Sequence, residues 1–421
     1  MKAIMRDERE MKDSGIAWIG KFPVDWKLSR LKFVSDIIMG QSPSADEIKE
    51  VGNVQFMQGN KEFGSRYPSP TLYCDCCSKH SRIGDILMSV RAPVGAINES
   101  DKVYGIGRGL CSIRADKINK NFMKYYLLKS VDDLQYYSNG STFDAVTIGI
   151  LSNFYLVIPS ASEQQTIATY LDDRCGKIDA IIAEAKASIE EYKELKQAVI
   201  YEAVTKGLDK NVEMKDSGVE WIGEIPIDWS IKVLFQLVSQ VKNKNMELKE
   251  QNLLSLSYGK IKRKDINGNE GLLPASFENY NIVEKGDIVL RLTDLQNDHK
   301  SLRVGQVNER GIITSAYVTL HHNELIKYEY LYYVLHLLDL KKGFYGMGAG
   351  VRQGLTYDEV KTLKICYPSL EEQQAIASYL DDHCFKIDTM ISEKQSLIED
   401  LESYKKSLIY EVVTGKRKVV E

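Results

Sequence analysis

Residues 159–182 read PSASEQQTIATYLDDRCGKIDAII, and residues 368–391 read PSLEEQQAIASYLDDHCFKIDTMI, a close copy 209 positions later. A second repeated text lies upstream of each copy: residues 11–26 are MKDSGIAWIGKFPVDW, and residues 214–229 are MKDSGVEWIGEIPIDW. Such self-similarity within one chain indicates a duplicated architecture. The order along the chain is therefore a variable segment, a repeat, a second variable segment and a second repeat.

The repeats that begin at Pro159 and Pro368 carry apolar residues in two interleaved seven-residue series. Alternating gaps of three and four residues, sustained over this length, predict a coiled-coil seam between the two copies. The alternative is a long amphipathic helix that packs on an ordinary core. The predicted seam residues are Leu171, Ile178, Ile182, Ile189, Leu380, Ile387, Ile391 and Ile398. The stripe is interrupted by Lys196, Lys394 and Lys405, which predicts that the ends of the seam face another protein.

Both predicted helices have start and stop signals. The predicted capping boxes pair Ser160 with Glu163 and Ser369 with Glu372, and the predicted C-caps are Gly207 and Gly415. A break near Gly176 is expected in the first helix, because glycine costs about 1 kcal/mol relative to alanine there.

Connectivity sets the direction of these helices. The first helix ends where the second variable segment begins, and the second helix starts where that segment ends. If the two helices pair side by side, they must run antiparallel. The expected boundaries are 1–158 and 214–367 for the two variable domains with their preceding repeats, and 159–213 and 368–421 for the two helical segments.

The two variable segments differ from each other in most positions. Their shared landmarks are Gly84-Asp85-Ile86 with Gly286-Asp287-Ile288, and Tyr125-Tyr126 with Tyr332-Tyr333. Segment 27–158 has 16 Lys and Arg against 13 Asp and Glu, and segment 230–367 has 19 against 15. The net charge of −4 therefore arises in the repeats, and the variable segments are mildly basic, which is compatible with a phosphate-bearing partner.

Composition excludes several classes of protein. Hydrophobic residues make up 43% of the 421 and charged residues 27%, which is typical of a globular protein and not of a disordered one. No apolar run approaches the roughly 18 residues of a membrane helix, and the charged start MKAIMRDERE is not a secretory signal. Seven cysteines at irregular spacing predict reduced thiols and a cytoplasmic location.

The sequence lacks the motifs of an enzyme. There is no GxxxxGK[ST] loop for ATP and no Asn-Pro-Pro-aromatic or Asp-Pro-Pro-aromatic signature of an adenine methyltransferase. Cys74, Cys76 and Cys77 lie near His80, but this spacing is not that of a standard zinc site, so ordinary thiols are expected and no metal. A non-catalytic chain without a cofactor of its own is predicted.

Two basic domains held at a fixed separation suit a target with two separated sites, such as duplex DNA. Because the two domains differ in sequence, the two half-sites should differ as well. This predicts an asymmetric, interrupted DNA target.

The chain resembles a known family, the specificity subunits of type I restriction-modification systems, over essentially its whole length. The residues that carry the resemblance are Trp18-Ile19-Gly20 with Pro23 and Trp26, Trp221-Ile222-Gly223 with Pro226 and Trp229, Glu163-Gln164-Gln165 with Ile178-Asp179, Glu372-Gln373-Gln374 with Ile387-Asp388, and the stretches Gly286 to Asp298 and Arg310 to Tyr317. The specific signal is the ordered, doubled set and not any one tetrapeptide.

The resemblance implies an α+β fold: two mixed α/β target recognition domains separated by two long antiparallel coiled-coil helices, in a pseudo-two-fold tandem repeat. Each domain would read one half-site of double-stranded DNA, and the helices would set the gap and dock two modification subunits. Restriction subunits would join that core. S-adenosylmethionine, ATP and magnesium would belong to these partner subunits, in the cytoplasm of a prokaryote.

Direct reading of DNA needs side chains that offer donors and acceptors to base edges. The candidates lie near glycine, proline or polar residues that indicate loops. They are Gln58, Asn60, Lys61, Arg66, Arg91 and Arg108 in the first domain, and Lys260, Lys262, Arg263, Lys264, Arg291, Arg303, Arg352 and Gln353 in the second. The alternative for each of them is a solvated surface charge.

Two other functional classes stay open from the residues alone. A coiled-coil interaction scaffold with two protein-binding domains would need no basic face and no base-reading loops. A stand-alone enzyme would need a catalytic constellation, which the sequence does not contain.

Overall fold

The structure is a computed structural model that describes residues 1–130, 134, 145–266, 274, 276–295, 302–347 and 354–420. The chain divides into two compact units. Unit one comprises Met1–Lys186 and Ser396–Glu421, and unit two comprises Ala187–Gln395. Each unit therefore combines one variable segment with one part of each long helix.

The strands of unit one come from the variable segment, the first repeated text and the C-terminus. They are β1 (Lys2–Met5), β2 (Met11–Asp13), β3 (Lys21–Pro23), β4 (Lys27–Arg30), β5 (Asp36–Met39), β6 (Gln55–Met57), β7 (Leu72–Tyr73), β8 (Ile86–Ser89), β9 (Ile97–Glu99), β10 (Gly105–Ile106), β11 (Leu110–Arg114), β12 (Tyr155–Ile158) and, at the end of the chain, β25 (Arg417–Val420).

Unit two repeats this pattern in its own sequence. Its strands are β13 (Met214–Asp216), β14 (Glu224–Pro226), β15 (Ser230–Val233), β16 (Val238–Gln240), β17 (Leu254–Ser257), β18 (Lys260–Arg263), β19 (Asn281–Val283), β20 (Ile288–Leu290), β21 (Val304–Gln306), β22 (Gly311–Ile313), β23 (Val318–His322) and β24 (Lys364–Tyr367).

The α-helices differ greatly in length. They are α1 (Leu31–Val34), α2 (Lys120–Lys129), α3 (Ile148–Asn153), α4 (Ala161–Lys206), α5 (Tyr328–Leu340), α6 (Tyr357–Val360) and α7 (Leu370–Val413). Short 3-10 helices cover Glu8–Glu10, Ala45–Glu47, Asn60–Glu62, Leu234–Gln236 and Gly343–Gly346. The mixed helix and strand content confirms the predicted α+β class.

Each unit is built on an antiparallel four-stranded sheet. The strand order is β5-β11-β8-β9 in unit one and β16-β23-β20-β21 in unit two. The central strand β8 is buried along its whole length, as is β20, because each reads as a continuous run of mostly apolar residues. Smaller ribbons surround these sheets, including β1 with β25, which joins the first residues of the chain to the last.

The shared Gly-Asp-Ile landmark forms the turn that enters the central strand. Gly84 and Gly286 have φ values of +87° and +95°, which favour glycine. Asp85 accepts a hydrogen bond from the Arg82 amide at 2.8 Å, and Asp287 accepts one from the Glu284 amide at 2.9 Å. The motif is therefore a structural turn and not a ligand site.

The two long helices pack against each other in an antiparallel sense inside each unit. In unit one, Lys405 of α7 contacts Asp179 of α4 at 2.6 Å. In unit two, Lys196 of α4 contacts Asp388 of α7 at 2.7 Å. Lys196 and Lys405, which interrupt the predicted stripe, therefore each pair with an aspartate of the facing helix. That the ends of the seam face another protein stays a prediction.

The predicted seam side chains lie in the interior of these helix pairs. Seven of the eight are at most 9% exposed, and Ile391 is half-buried. The expected break at Gly176 is wrong, because α4 continues through it and a Cβ at that position would meet no atom within 4 Å. Gly207 and Gly415 have φ values of +75° and +76°, which confirms the predicted left-handed C-caps.

Candidate DNA interface

The repeated Glu-Gln pair at the start of each long helix holds the repeated tryptophan and one helix of the variable domain. In unit one, Trp26 Nε1 donates to Glu163 Oε2 at 3.0 Å, and the Asn119 amide donates to Gln164 Oε1 at 2.8 Å. Gln164 Nε2 donates in turn to the Pro159 carbonyl at 3.0 Å. The repeat therefore fixes the N-terminus of α2 on the start of α4.

Unit two repeats this arrangement with its own residues. Trp229 Nε1 donates to Glu372 Oε2 at 2.9 Å, and the Lys327 amide donates to Gln373 Oε1 at 2.9 Å. Each predicted capping box forms only one of its two hydrogen bonds. Ser369 Oγ accepts from the backbone amide of Glu372. The Glu372 carboxylate binds the Trp229 indole instead of the backbone amide of Ser369. The same holds for Ser160 and Glu163 in unit one.

A tyrosine–aspartate pair adds a second anchor in each unit. Tyr125 Oη donates to Asp172 at 2.8 Å, and Tyr333 Oη donates to Asp381 at 2.7 Å. Burial together with this hydrogen bond raises the pKa of both phenols above the usual value. Tyr125 thus matches Tyr333, so the two tyrosine pairs are offset by one residue in the repeated framework.

A separate cluster of polar loops lies in unit one, where the segments after β5 and β6 meet the segment before β11. Gln58 Nε2 donates to Ser42 Oγ at 2.6 Å, and the Arg108 amide donates to the same oxygen at 3.4 Å. The Gly109 amide donates to the Gln58 carbonyl at 3.1 Å. The side chains of Gln58 and Arg108 are exposed. The loops that meet at Ser42 therefore carry one exposed amide side chain and one exposed guanidinium side chain, the groups that read adenine and guanine.

The other unit-one candidates divide between this cluster and a separate place. Asn60 begins the short helix that follows Gln58, with exposed Lys61 next to it. Exposed Arg91 follows Val90, whose amide donates to the Gly109 carbonyl at 2.9 Å. Arg66 instead pairs with Glu99 at 3.3 Å, beside Lys120 of α2. We call Gln58, Asn60, Lys61, Arg91 and Arg108 the unit-one loop cluster.

In unit two the lysine-rich stretch forms β18, which pairs with β17 in a hairpin. Lys260 lies opposite Ser257 and Lys262 opposite Ser255, and both lysines are exposed. Side chains alternate along a strand, so Lys260 and Lys262 share one face. Arg263 lies on the other face in an ion pair with Glu309, while Lys264, also exposed, follows the strand.

The turn of this hairpin carries a residue that the sequence interpretation missed. Tyr258 and Gly259 both have positive φ, at 48° and 75°, and the Tyr258 side chain is 75% exposed. A two-residue turn with positive φ at both positions is the type I′ geometry of tight hairpins. The signal was present as Tyr-Gly between two short alternating runs. An exposed ring beside two lysines can stack on a base or pack into a groove.

Arg303 is not available to DNA, and its prediction as a base reader is wrong. Its residue exposure is 0%, because the guanidinium is enclosed by carbonyl oxygens of its own loop. It donates to Arg291 O at 3.0 Å and to Thr293 O at 2.8 Å. Arg303 therefore positions the loop that carries half-buried Arg291. The remaining candidates, Arg352 and Gln353, lie outside the described residues.

The cysteine cluster of unit one comprises buried Cys74, exposed Cys76 and buried Cys77. Cys74 Sγ and Cys76 Sγ lie 4.0 Å apart. A hydrogen bond to Glu47 raises the pKa of Cys76 to about 11, and burial raises that of Cys77 to about 12. Thiols that stay protonated are poor ligands and poor nucleophiles. Among the described residues, no group of three or more His, Cys, Asp or Glu is arranged to hold a metal ion.

Comparison with known proteins places this geometry in a family. The family described as "Type I restriction modification DNA specificity domain" matches residues 23–191 and again 226–400. The chain belongs to this DNA specificity family. The two matches begin within the repeated texts and run into the long helices, so they coincide with the duplication. Specificity subunits of this family are non-catalytic members of type I systems.

Relatives and a solved structure agree with this assignment. A putative type I restriction enzyme MjaX specificity subunit of Methanocaldococcus jannaschii is 37% identical over 43% of this chain, and the match spans only 43% of that relative. The MjaIX specificity subunit of the same organism is 24% identical over 99% of this chain and 98% of its own. A chain from "Structural basis underlying complex assembly and conformational transition of the type I R-M system" shares the fold at 15% identity, with a TM-score of 0.70 over 94% of this chain and 99% of that one.

Within the described part of the chain, no helix is both long enough and apolar enough to cross a membrane.

Proposed function

We propose that this chain is the DNA-reading subunit of a type I restriction-modification complex, in which each variable domain recognises one half of an interrupted, asymmetric target. The observation that carries the proposal is the doubled family match over two domains whose exposed polar loops differ. Unit one offers the loop cluster around Gln58 and Arg108, and unit two offers the Lys260–Lys262 hairpin. Different loops on equivalent frameworks give different half-sites.

The partners follow from the same assignment. The chain binds double-stranded DNA and docks two modification subunits along the paired long helices, and restriction subunits complete the complex in the cytoplasm of a prokaryote. The paired helices set the number of base pairs between the half-sites. S-adenosylmethionine, ATP and magnesium serve the partner subunits, and this chain contributes no cofactor.

The affinity of such a chain has two separable parts. Lysines on exposed strands neutralise phosphates and make binding depend on salt, whereas amide and guanidinium groups in loops select bases. Exposed Lys260 and Lys262 fit the first role, and Gln58 with Arg108 fit the second. The proposal therefore predicts different phenotypes for the two sets.

The test is an exchange of residues 27–158 for the equivalent segment of another specificity subunit, followed by methylome sequencing in a host that carries the modification subunit. One half of the methylated target should change while the other half and the spacing stay the same. Changes in both halves would overturn the modular assignment. A chimera that binds partner proteins but shows no salt-dependent DNA affinity would instead support an interaction scaffold.

A further inference from the structure

The duplication gives unit two a surface whose counterpart in unit one is covered. In unit one, strands β1 and β25 form a ribbon that lies along the start of α4. Arg6, at the end of β1, binds Glu163, and Arg174 of α4 donates to the Met1 carbonyl at 3.5 Å. Arg417 of β25 binds Glu411 near the end of α7. The ribbon is thus held by carboxylates of both long helices.

No such ribbon exists among the described residues of unit two, because α4 passes through Gly207 directly into a turn and then β13. The surface there is a cleft of about 400 Å³, lined among others by Val199, Glu202, Ala203, Leu208 and Tyr379. We call it the unit-two cleft.

Equivalent residues of the two units differ in their exposure. Tyr170 and Leu408, which lie on the two helices that hold the ribbon in unit one, are 7% and 2% exposed. Their repeat counterparts, Tyr379 and Val199, are only half-buried in unit two. The cleft therefore exposes side chains whose counterparts are buried in the unit that has the ribbon.

The carboxylates that hold the ribbon are also present without their cations. Glu202, the counterpart of Glu411, is exposed and forms no ion pair within the described residues. Glu372, the counterpart of Glu163, lies beside Gly207 of the cleft lining and receives the Trp229 indole. Among the described residues it pairs with no arginine in the way that Glu163 pairs with Arg6. Burial raises the pKa of Glu372, the neighbouring Asp228 adds to this, and the indole opposes it only in part. A guanidinium is the group that this site accepts in its other copy.

We propose that the unit-two cleft binds an extended, arginine-bearing segment of a partner protein, with the arginine on Glu372 in the way that Arg6 lies on Glu163. The cleft also contains Lys206 and Lys210, opposed by Glu202, Asp209 and Glu224, so its lining is acidic on balance and favours a basic segment. The inference concerns a protein-binding surface and is independent of DNA reading.

The test uses the full chain and a fluorescein-labelled peptide of sequence KAIMR, that of residues 2–6. Fluorescence anisotropy should show saturable binding that Glu372→Gln weakens about tenfold, since a hydrogen bond to a charged group contributes about 1.5–3 kcal/mol. Glu220→Gln, an exposed charge change outside the cleft, should leave the affinity within about twofold. The peptide KAIME should not bind.

Three results would overturn the proposal: no saturable binding at millimolar peptide, equal affinity for the Glu372→Gln chain, or equal affinity of KAIME. A loss on Glu163→Gln instead of Glu372→Gln would mean that the peptide displaces β1 in unit one and places its arginine on Glu163, which also contradicts the assignment. Sedimentation of the chain alone tests whether a second copy of the chain occupies the cleft. A dimer that dissociates on Glu372→Gln would assign the cleft to a second copy and not to a partner.

Discussion

Trp229 donates its indole hydrogen to Glu372 at 2.9 Å, and Trp26 donates to Glu163 at 3.0 Å, yet in the part of the chain that the structure describes only Glu163 has an arginine on its other oxygen. The duplication has therefore kept the hydrogen bond and changed the ion pair. Twin residues in one chain give an internal control, because the same substitution tests two environments in a single polypeptide.

The substitution Glu163→Gln should destabilise unit one by about 1–3 kcal/mol, because it leaves the Arg6 guanidinium without its carboxylate at a side-chain exposure of only 5%. Glu372→Gln should change unit two by less than about 0.5 kcal/mol, because glutamine still accepts from Trp229 and no buried cation loses a partner. Hydrogen exchange in α2 and α5 resolves the two units. Equal losses in both units would contradict the contrast.

A buried histidine makes unit two sensitive to acid. His336 of α5 stacks on Tyr332, and burial, followed by the nearby Lys196, lowers its pKa to about 4. Between pH 6.5 and about 4 the unfolded chain binds more protons than the folded one, so stability falls as pH falls through this window. The loss should reach about 3 kcal/mol. Denaturant unfolding of unit two across this range measures it.

The matched variant for this effect is His336→Phe, which keeps a ring on Tyr332 and removes the titration. His336 Nδ1 has no hydrogen-bond partner among the described residues, so the substitution removes no polar contact at that atom. The stability of unit two should then lose most of its slope between pH 6.5 and 4. An unchanged slope would assign the acid sensitivity to other groups.

The long helices could be predicted because their signal is repetitive. Leu171 and Leu380 belong to seven-residue series. Such a series predicts a helix and its buried face, and the connectivity of the chain adds that the two helices run antiparallel. The caps at Gly207 and Gly415 follow local rules and were also predicted. The capping-box rule predicts the position of Glu163 but not its partner, because the Glu163 carboxylate accepts from the Trp26 indole, 137 residues away in sequence.

The interface residues could be predicted only as chemical types. Whether an arginine in a polar stretch is exposed depends on which carbonyl oxygens the fold brings around it, and nothing local distinguishes Arg303 from Arg108. Neighbouring side chains lie on opposite faces of a strand, so Arg263 can pair with Glu309 while Lys262, also exposed, faces the other way. Such differences arise from long-range packing, which one sequence does not reveal.

The buried arginine gives a prediction of stability. Arg303→Lys keeps the charge but removes the planar fork that binds the carbonyls of Arg291 and Thr293, so unit two should lose about 2–4 kcal/mol. DNA affinity should fall with the folded fraction, and its dependence on salt should stay the same. The control is Arg263→Lys, whose side chain is 70% exposed and whose effect should stay below about 1 kcal/mol. Comparable losses in both variants would contradict a positioning role for Arg303.

The hairpin of unit two separates affinity from sequence choice. In Lys260→Ala with Lys262→Ala, two exposed cations disappear from one face of β18, and the slope of log K against log salt should fall by about 2, since each phosphate contact contributes about 0.9. Titrations between about 50 and 200 mM salt measure this slope, and the methylated sequence should stay the same. Tyr258→Ala should weaken binding by about 1–3 kcal/mol with no change in slope, because a stacked ring carries no charge.

The control for these variants is Lys364→Ala, which changes an exposed lysine on β24 outside the hairpin. It should leave the DNA affinity and its salt slope unchanged. A slope that falls equally in the control would mean that the general charge of unit two, and not the hairpin, binds the phosphates.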